Sequence, residues 1–491
     1  MTETTRSTNL SQPIDDLDGA VVSPSDIGER LWRFFISMRT GLALILALVV
    51  LGLIGTLLVQ APVGLQADAQ AYAAWIDSVR PKYGGWTGAF DMLGLFSVFN
   101  SIWFRGITVL LMTSVLACSV NRAPHLWKQA TKPRTRMSDA FFDHAPLALA
   151  TTTAARPEAA AEAVAATLRG RRFRTLVEGA GDTINVYADK NRWGPFGTVV
   201  AHLSLVVILT GALIGTAFGF RNEGLAVAVG STADVGNETG LTVEARRFVD
   251  SYYPNGSPSD YASDLIVYRD GREVGAATVR VNEPMTVDGV TFYQSFFGPA
   301  ASIRITGQDG DVVFDQGVPL QFGYGDGSRV AGQIVLADAG LTAYVVAPAS
   351  GEVDPAIRPG QVQFEVYETA TMADPVAVQT LSQGQAADVA GLDVTFVREH
   401  QYTGLIVARD PGAPFIWLGC FLLIAGTAVV FFFPSRRVWA LVRPDRAGTS
   451  TVQVAAIVRH DVGFGAEFER MGEEIRVTIK SPPADEGKGT V

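Results

Sequence analysis

The sequence predicts an α-helical multi-pass membrane protein with four transmembrane helices and a large extracytoplasmic antiparallel β-rich domain inserted between helices 3 and 4. Three observations carry this prediction. Four apolar runs are each about 20 residues long, enough to cross a hydrocarbon core of about 30 Å as helices. Lys and Arg collect in the flanks on one side of those runs. Residues 220–411 alternate apolar and polar in period two, with Asp-Gly turns between the runs. Composition agrees: 48% of the 491 residues are hydrophobic and 18% charged, with a mean hydropathy of +0.22, a balance unlike that of an ordinary soluble chain.

Taken in order, residues 1–38 form a polar N-terminal tail with no leader-like pattern, so the first helix is expected to stay as an anchor. That helix covers 39–61, around "GLALILALVVLGLIGTLLVQ". A loop at 62–101 follows, then the second helix at 102–121, "IWFRGITVLLMTSVLACSVN", with Arg105 one turn from its start, where an arginine snorkels to an interface. Residues 122–193 read as a loop with a small αβ fold: "PEAAAEAVAATLRGRRFRTLVEG" is an Ala-rich helix running into a strand, and "TINVYAD" is a second strand. The third helix covers 194–219 and the fourth 412–434. Residues 435–491 read as a basic stretch followed by a loosely ordered polar tail.

Orientation follows from the flanking cations. Arg30, Arg33 and Arg39 precede the first helix, Arg122, Lys128, Lys132, Arg134 and Arg136 follow the second, Lys190 and Arg192 precede the third, and Arg436, Arg437, Arg443 and Arg446 follow the fourth. All fall on one side, which the positive-inside rule makes the cytoplasm. Both termini and 122–193 are then cytoplasmic, and 62–101 and 220–411 extracytoplasmic. Acidic residues outnumber basic ones about two to one in 220–411, as suits a solvated exported domain.

A net charge of −10, with no Gly-rich phosphate loop after a strand, gives no ground for nucleic acid as a partner. The two cysteines, Cys118 and Cys420, both lie in apolar runs, so the soluble parts hold no disulfide and no CxxC motif. No Ser/His/Asp set, paired catalytic carboxylates or metal-spaced cluster occurs in 220–411. The sequence alone gives no warrant for an enzyme acting by itself.

The candidate functional residue is His202, in "GPFGTVVAHLSLVVILTGALIGTAFGF" at 194–220. It sits roughly 10 Å into the third helix from its cytoplasmic end at 1.5 Å per residue. An imidazole at that depth needs a hydrogen-bond partner or a metal. Around the helix, Gly197, Ser204, Gly211 and Gly215 fall opposite His202, while Val199, Leu205, Val206, Leu209 and Leu213 flank it. Small residues at this spacing let helices approach closely, so that stripe is expected to pack against sister helices and leave His202 facing a ligand or a second subunit. Two readings stand: a ligand to a metal, or a histidine that hydrogen-bonds a neighbouring helix. His125, His144, His400 and His460 read as ordinary surface or interface histidines. The aromatics of 62–101, Tyr72, Trp75, Tyr83, Trp86, Phe90, Phe96 and Phe99, read as an interfacial belt, with a surface for a planar apolar ligand as the second reading.

From about Leu31 to Trp439 the chain resembles the ResB/CcsB family of the system II cytochrome c biogenesis pathway. The first helix is similar to the family's Ser-x-Arg start and Gly-Thr-x-x-x-Gln finish, here Gly55, Thr56 and Gln60, with Val59 where the family often has Pro. Cys118 followed by a basic exit resembles its second helix. "YADKNRWGPFGTVVAHLSLVVILTGALIG" resembles its third, "VNEPMTVDGVTFYQSFFG" a block of its exported domain with Met285 in place of Leu, and "DPGAPFIWLGCFLLIAGTAVVFFFPSRRVW" its last helix. The tails before about 25 and after about 448 lie outside the resemblance.

The resemblance implies a non-catalytic subunit of a cytochrome c haem lyase (synthase) complex in the bacterial plasma membrane. Such proteins work with a CcsA/ResC-type membrane partner, which carries the Trp-rich haem-binding motif, to move haem outward and attach it to apocytochrome c. A thioredoxin-like thiol carrier is a further implied partner. In fused family members the corresponding transmembrane histidine is an axial haem ligand, and only His202 matches it here. Haem would be b-type and in transit, not a resident prosthetic group. The alternative is a membrane scaffold whose β domain docks apocytochrome or thiol carriers without binding haem.

Overall fold

The computed structural model describes residues 24–480 except 63, 64, 66–68, 181, 373, 446–448, 458–460 and 462. Among the described residues four helices are long and apolar enough to cross a membrane: α2 (Met38–Leu57), α5 (Ile102–Thr131), α8 (Phe196–Phe218) and α9 (Ala413–Phe432). The chain divides into two compact units, one of residues 1–61, 74–210 and 415–491, the other of 62–73 and 211–414.

In the first unit a short helix α1 (Pro24–Phe35) precedes α2, in a segment the sequence marks only as tail. Ile27, Leu31 and Phe34 recur at helical spacing and stay exposed, while Glu29 and Arg33 pair one turn apart on the polar face. This is the pattern of a helix lying in a membrane interface. Ser114 Oγ and Cys118 Sγ of α5 both donate to the Phe35 carbonyl, at 2.8 and 3.6 Å, so Cys118 ties α1 to α5.

The segment after α2 is helical, with α3 (Ala69–Tyr83) and α4 (Thr87–Met92). The Gly-Thr-x-x-x-Gln finish of α2 anchors this segment. A side chain at Gly55 would meet the Phe99 ring at 2.9 Å. Gln60 accepts from Val98 N at 3.0 Å and donates to Leu95 O at 3.1 Å, satisfying backbone groups that a short 3₁₀ turn leaves open. Trp75, Tyr83 and Phe90 close round buried Phe96 with ring centroids 5.5, 5.5 and 6.2 Å from it. These rings form a small core, which neither the belt nor the ligand-surface reading anticipates; Trp86 stays exposed.

α5 runs ten residues beyond the expected end at 121. Helical hydrogen bonding does not depend on hydropathy, and Leu126 and Ala130 keep an apolar stripe at i, i+4 that is buried past the charged exit. Then follow α6 (Asp139–His144), β1 (Leu147–Thr153), α7 (Pro157–Gly170), β2 (Arg174–Ala180) and β3 (Thr183–Lys190).

Residues 435–491, expected as a basic stretch with a loose tail, instead supply β19 (Arg436–Pro444), β20 (Ser450–Ala456) and α10 (Phe464–Lys480). The five strands form one antiparallel sheet in the order β1-β20-β19-β3-β2. β19 is central and buried on both faces. Val438, Ala440 and Val442 join Val164, Leu168, Phe468, Met471 and Ile475 of α7 and α10, while Trp439 and Leu441 pack with Tyr187 and Phe142 on the other face. Trp439 Nε1 donates to Arg134 O at 2.9 Å. The apolar residues of α10 recur at 464, 468, 471, 475 and 479, an amphipathic helix with a docked face.

In the second unit the described strands between α8 and α9 all pair antiparallel. One sheet orders β5 (Thr232–Asp234), β6 (Leu241–Tyr252), β7 (Pro258–Arg269) and β8 (Arg272–Arg280). A second orders β11 (Val312–Pro319), β10 (Val290–Thr306), β18 (Leu392–Arg409) and β17 (Ala386–Val389), with β4 (Phe220–Ala228) on β18 and β9 (Met285–Val287) on β10. A third orders β12 (Phe322–Tyr324), β13 (Arg329–Leu336), β14 (Leu341–Pro348), β15 (Gln361–Glu368) and β16 (Ala377–Ser382).

The long strands β10 and β18 pair from Thr291↔Ala408 to Thr306↔Asp393 and serve two cores. Near one end Phe292, Leu405 and Val407 meet Val243, Leu265 and Val267 of the first sheet; near the other Ile303, Ile305, Val394 and Phe396 meet Val345 and Phe364 of the third. Asp288 and Gly289, both at positive φ, make the tight β9–β10 turn. Gln294 lies at the centre. Its Oε1 accepts from Ser263 Oγ at 2.5 Å and Thr403 Oγ1 at 2.8 Å, and its Nε2 donates to Phe296 O at 3.0 Å. The block "VNEPMTVDGVTFYQSFFG" is therefore a hairpin plus a buried polar clasp, and its place is architectural.

Candidate functional site on the third membrane helix

The start of α8 is fixed before the helix begins. Asn191, at φ 56°, donates from Nδ2 to Pro434 O at 3.2 Å. A side chain on Gly194 would lie 2.2 Å from Phe433 O, so only glycine fits where the two backbones cross. Trp127, Trp193 and Phe196 pack together beside this turn, with centroids 5.3 to 6.5 Å apart.

α8 then packs against α9 along the predicted stripe of small residues. A Cβ on Gly197 would stand 2.6 Å from Gly426 O; one on Gly419 would stand 2.9 Å from Ser204 O and 2.5 Å from Ile208 Cγ1. Further along, a Cβ on Gly412 would meet Gly211 O at 2.0 Å, and one on Gly215 would meet Asp410 Oδ1 at 2.9 Å. Small residues thus recur every seven positions on both helices and meet in antiparallel pairs, as a heptad seam requires. Asp410 caps α9, accepting from Gly412 N at 3.0 Å and Ala413 N at 3.1 Å, which explains the Asp-Pro-Gly lead into that helix.

With that seam occupied, His202 is left on the open face. Its side chain is exposed, and among the described residues it makes no hydrogen bond, whereas Ser204, two residues on, is fully buried. The partner-helix reading therefore has no acceptor or donor within the described chain. A bare imidazole in hydrocarbon leaves two ring nitrogens unsatisfied unless a second molecule meets it, and histidine is the commonest metal ligand among side chains.

The other described histidines are elsewhere and engaged. His125 approaches Gln129 Nε2 at 3.4 Å on α5, and His144 Nδ1 lies 3.0 Å from Ala140 O at the end of α6. His400, on β18, meets Ser302 Oγ at 3.1 Å and lies against Gly317, where a Cβ would stand 2.7 Å from its ring. Burial, reinforced by Arg398, lowers its pKa and favours the neutral ring. His460 lies outside the described residues. Among the described residues no three His, Cys, Asp or Glu side chains come together as a metal site.

Two residues that sequence reading uses only to orient the chain prove to line a cavity. Arg122 of α5 and Arg437 of β19 face the space beside Pro195 and Thr198 at the start of α8. Their charge is visible in the sequence; their convergence is not.

The description "ResB-like family" matches the chain over residues 38–469. The chain is 28% identical over 485 residues to the "Cytochrome c biogenesis protein CcsB" of Gloeobacter violaceus, covering 91% of each. It is 27% identical over 474 residues to the protein of the same name from a Synechococcus species, again covering 91% of each. With that of Trichormus variabilis it shares 27% identity over 457 residues, 87% of this chain and 91% of the relative.

Proposed function

The chain belongs to the ResB-like family, and from that premise we propose that it is a membrane subunit of the system II machinery for cytochrome c biogenesis, with haem as its cargo and a CcsA-type membrane protein as its partner. The observation that carries the site is the exposed imidazole of His202, without a partner among the described residues, opposite a glycine-lined seam. His202 supplies one axial bond to the haem iron, and the partner supplies the other. Iron coordination is the chemistry haem brings; this chain's share is to hold an imidazole at fixed depth on a helix whose other face is locked by backbone contact.

The proposed setting is the bacterial plasma membrane, with both termini and the αβ domain cytoplasmic and residues 62–101 and 220–411 outside. His202 then lies at the depth of the inner leaflet, where haem enters. The β domain stands on the side where haem is joined to apocytochrome c and where a thioredoxin-like carrier keeps the acceptor thiols reduced.

The test is His202→Ala in the chain purified with its partner. The haem that copurifies should be lost while the complex still elutes intact, and added imidazole should restore part of the six-coordinate absorption spectrum. Unchanged haem content and spectrum in the variant would remove the ligand assignment.

A further inference from the structure

The cavity beside the start of α8 has a volume of about 390 Å³. Leu126, Val430 and Phe433 give it an apolar wall, and Arg122 and Arg437 give it two guanidinium groups. Neither arginine has a carboxylate partner among the described residues. Their neighbours do: Arg436 pairs with Asp461 and Glu467, and Arg443 with Asp139. Asp461, the carboxylate on the cavity wall, is thus already taken. Arg437 is aimed, because its Nη2 donates to Gln129 Oε1 at 2.8 Å and spends only part of its donor fork there.

Two cations without a carboxylate partner among the described residues, set against an apolar wall, form a receptor for an amphipathic dianion, and guanidinium forks match carboxylate and phosphate groups. The cavity also lies on the histidine's side of the helix. At 100° per residue Thr198, on its wall, falls about 40° from His202 and one turn, roughly 6 Å, before it.

On the haem reading above, on which this rests, we infer that Arg122 and Arg437 clamp the two propionate carboxylates of the haem held at His202. The porphyrin is then gripped at its iron and at its polar edge, and enters in one orientation.

The experiment titrates the haem-free complex of this chain and its partner with haemin and with haemin dimethyl ester, whose carboxylates are blocked. The wild type should bind the free acid about 10- to 100-fold more tightly than the ester. Arg122→Gln and Arg437→Gln should each weaken haemin binding about 10-fold, leave ester binding unchanged, and in combination erase the preference. The axial absorption spectrum at saturation should stay as in wild type. Arg122 is exposed, so its variant tests the clamp without disturbing a core.

Haemin binding unchanged in both variants would overturn the clamp. So would equal loss of acid and ester, or binding of phosphatidylglycerol vesicles that both variants lose while they keep haemin, which would assign the arginines to a lipid phosphate. His202→Ala in the same titration separates the two readings. If it alone loses haemin, axial ligation stands and the clamp falls; if it binds haemin as wild type does, the ligation reading fails by itself.

Discussion

The α8–α9 seam makes a substitution that ordinarily stabilises a helix into a damaging one. Replacing Gly by Ala inside a helix is worth about 1 kcal/mol in favour of the variant where the new methyl meets nothing. Gly52 of α2 and Gly106 of α5 are such positions, with no atom within 4 Å of the added carbon. At Gly419 the same carbon stands 2.5 Å from Ile208 Cγ1, 2.9 Å from Ser204 O and 3.0 Å from Ile208 N. Two of those atoms are backbone, so rotamer changes cannot relieve the clash and the helices must part by about 1 Å, an overpacking cost of about 1–3 kcal/mol. Titration of the purified chain in mild detergent with sodium dodecyl sulfate, read by tryptophan fluorescence, orders the variants. Gly52→Ala and Gly106→Ala should match or exceed wild type, and Gly419→Ala should unfold earlier by the difference. A Gly419→Ala chain as resistant as Gly52→Ala would refute close backbone packing, and with it the argument that His202 faces away from α9.

Two further outcomes concern the β domain. Gln294→Leu removes three hydrogen bonds at about 1 kcal/mol each and leaves the Ser263 and Thr403 hydroxyls only each other to bond, so resistance of the full chain to proteolysis between 220 and 411 should fall by about 3 kcal/mol in urea, against no change if the clasp is idle. His400 adds a pH dependence. Its folded pKa lies below the ordinary 6.5, so between those two values the unfolded chain binds more protons, and stability drops as pH falls from about 6.5. Unfolding midpoints between pH 7.5 and 5.5 should decline less in His400→Gln than in wild type; parallel declines would clear His400 of the effect.

The membrane helices, the β domain and the two faces of α8 were legible because each rests on a local period: twenty apolar residues, alternation by two, or 100° per residue. The αβ domain was half legible. Its α7, β2 and β3 show their patterns, but "VWALV" in β19 is a five-residue apolar run with no period of its own, and its partner strand β3 lies some 250 residues earlier. The amphipathic repeat of α10 was there to be read and was masked by the polar residues around it. Gln294 stood out as part of a familiar block, yet its clasp needs Ser263 and Thr403 from strands far apart in sequence. Arg122 and Arg437 looked like flank charges because their lack of a carboxylate partner among the described residues shows only in three dimensions.

The central place of β19 also bears on how the chain is made. On the proposed topology β3 is synthesised before the third crossing and β19 after the fourth, yet the two lie edge to edge. A chain that omits one crossing, or inserts one backwards, delivers β19 to the wrong compartment and leaves β3 with a bare edge and α7 over an unfinished core. The sheet closes only when the number of crossings between its two halves is even, so its completion is a parity check on membrane insertion.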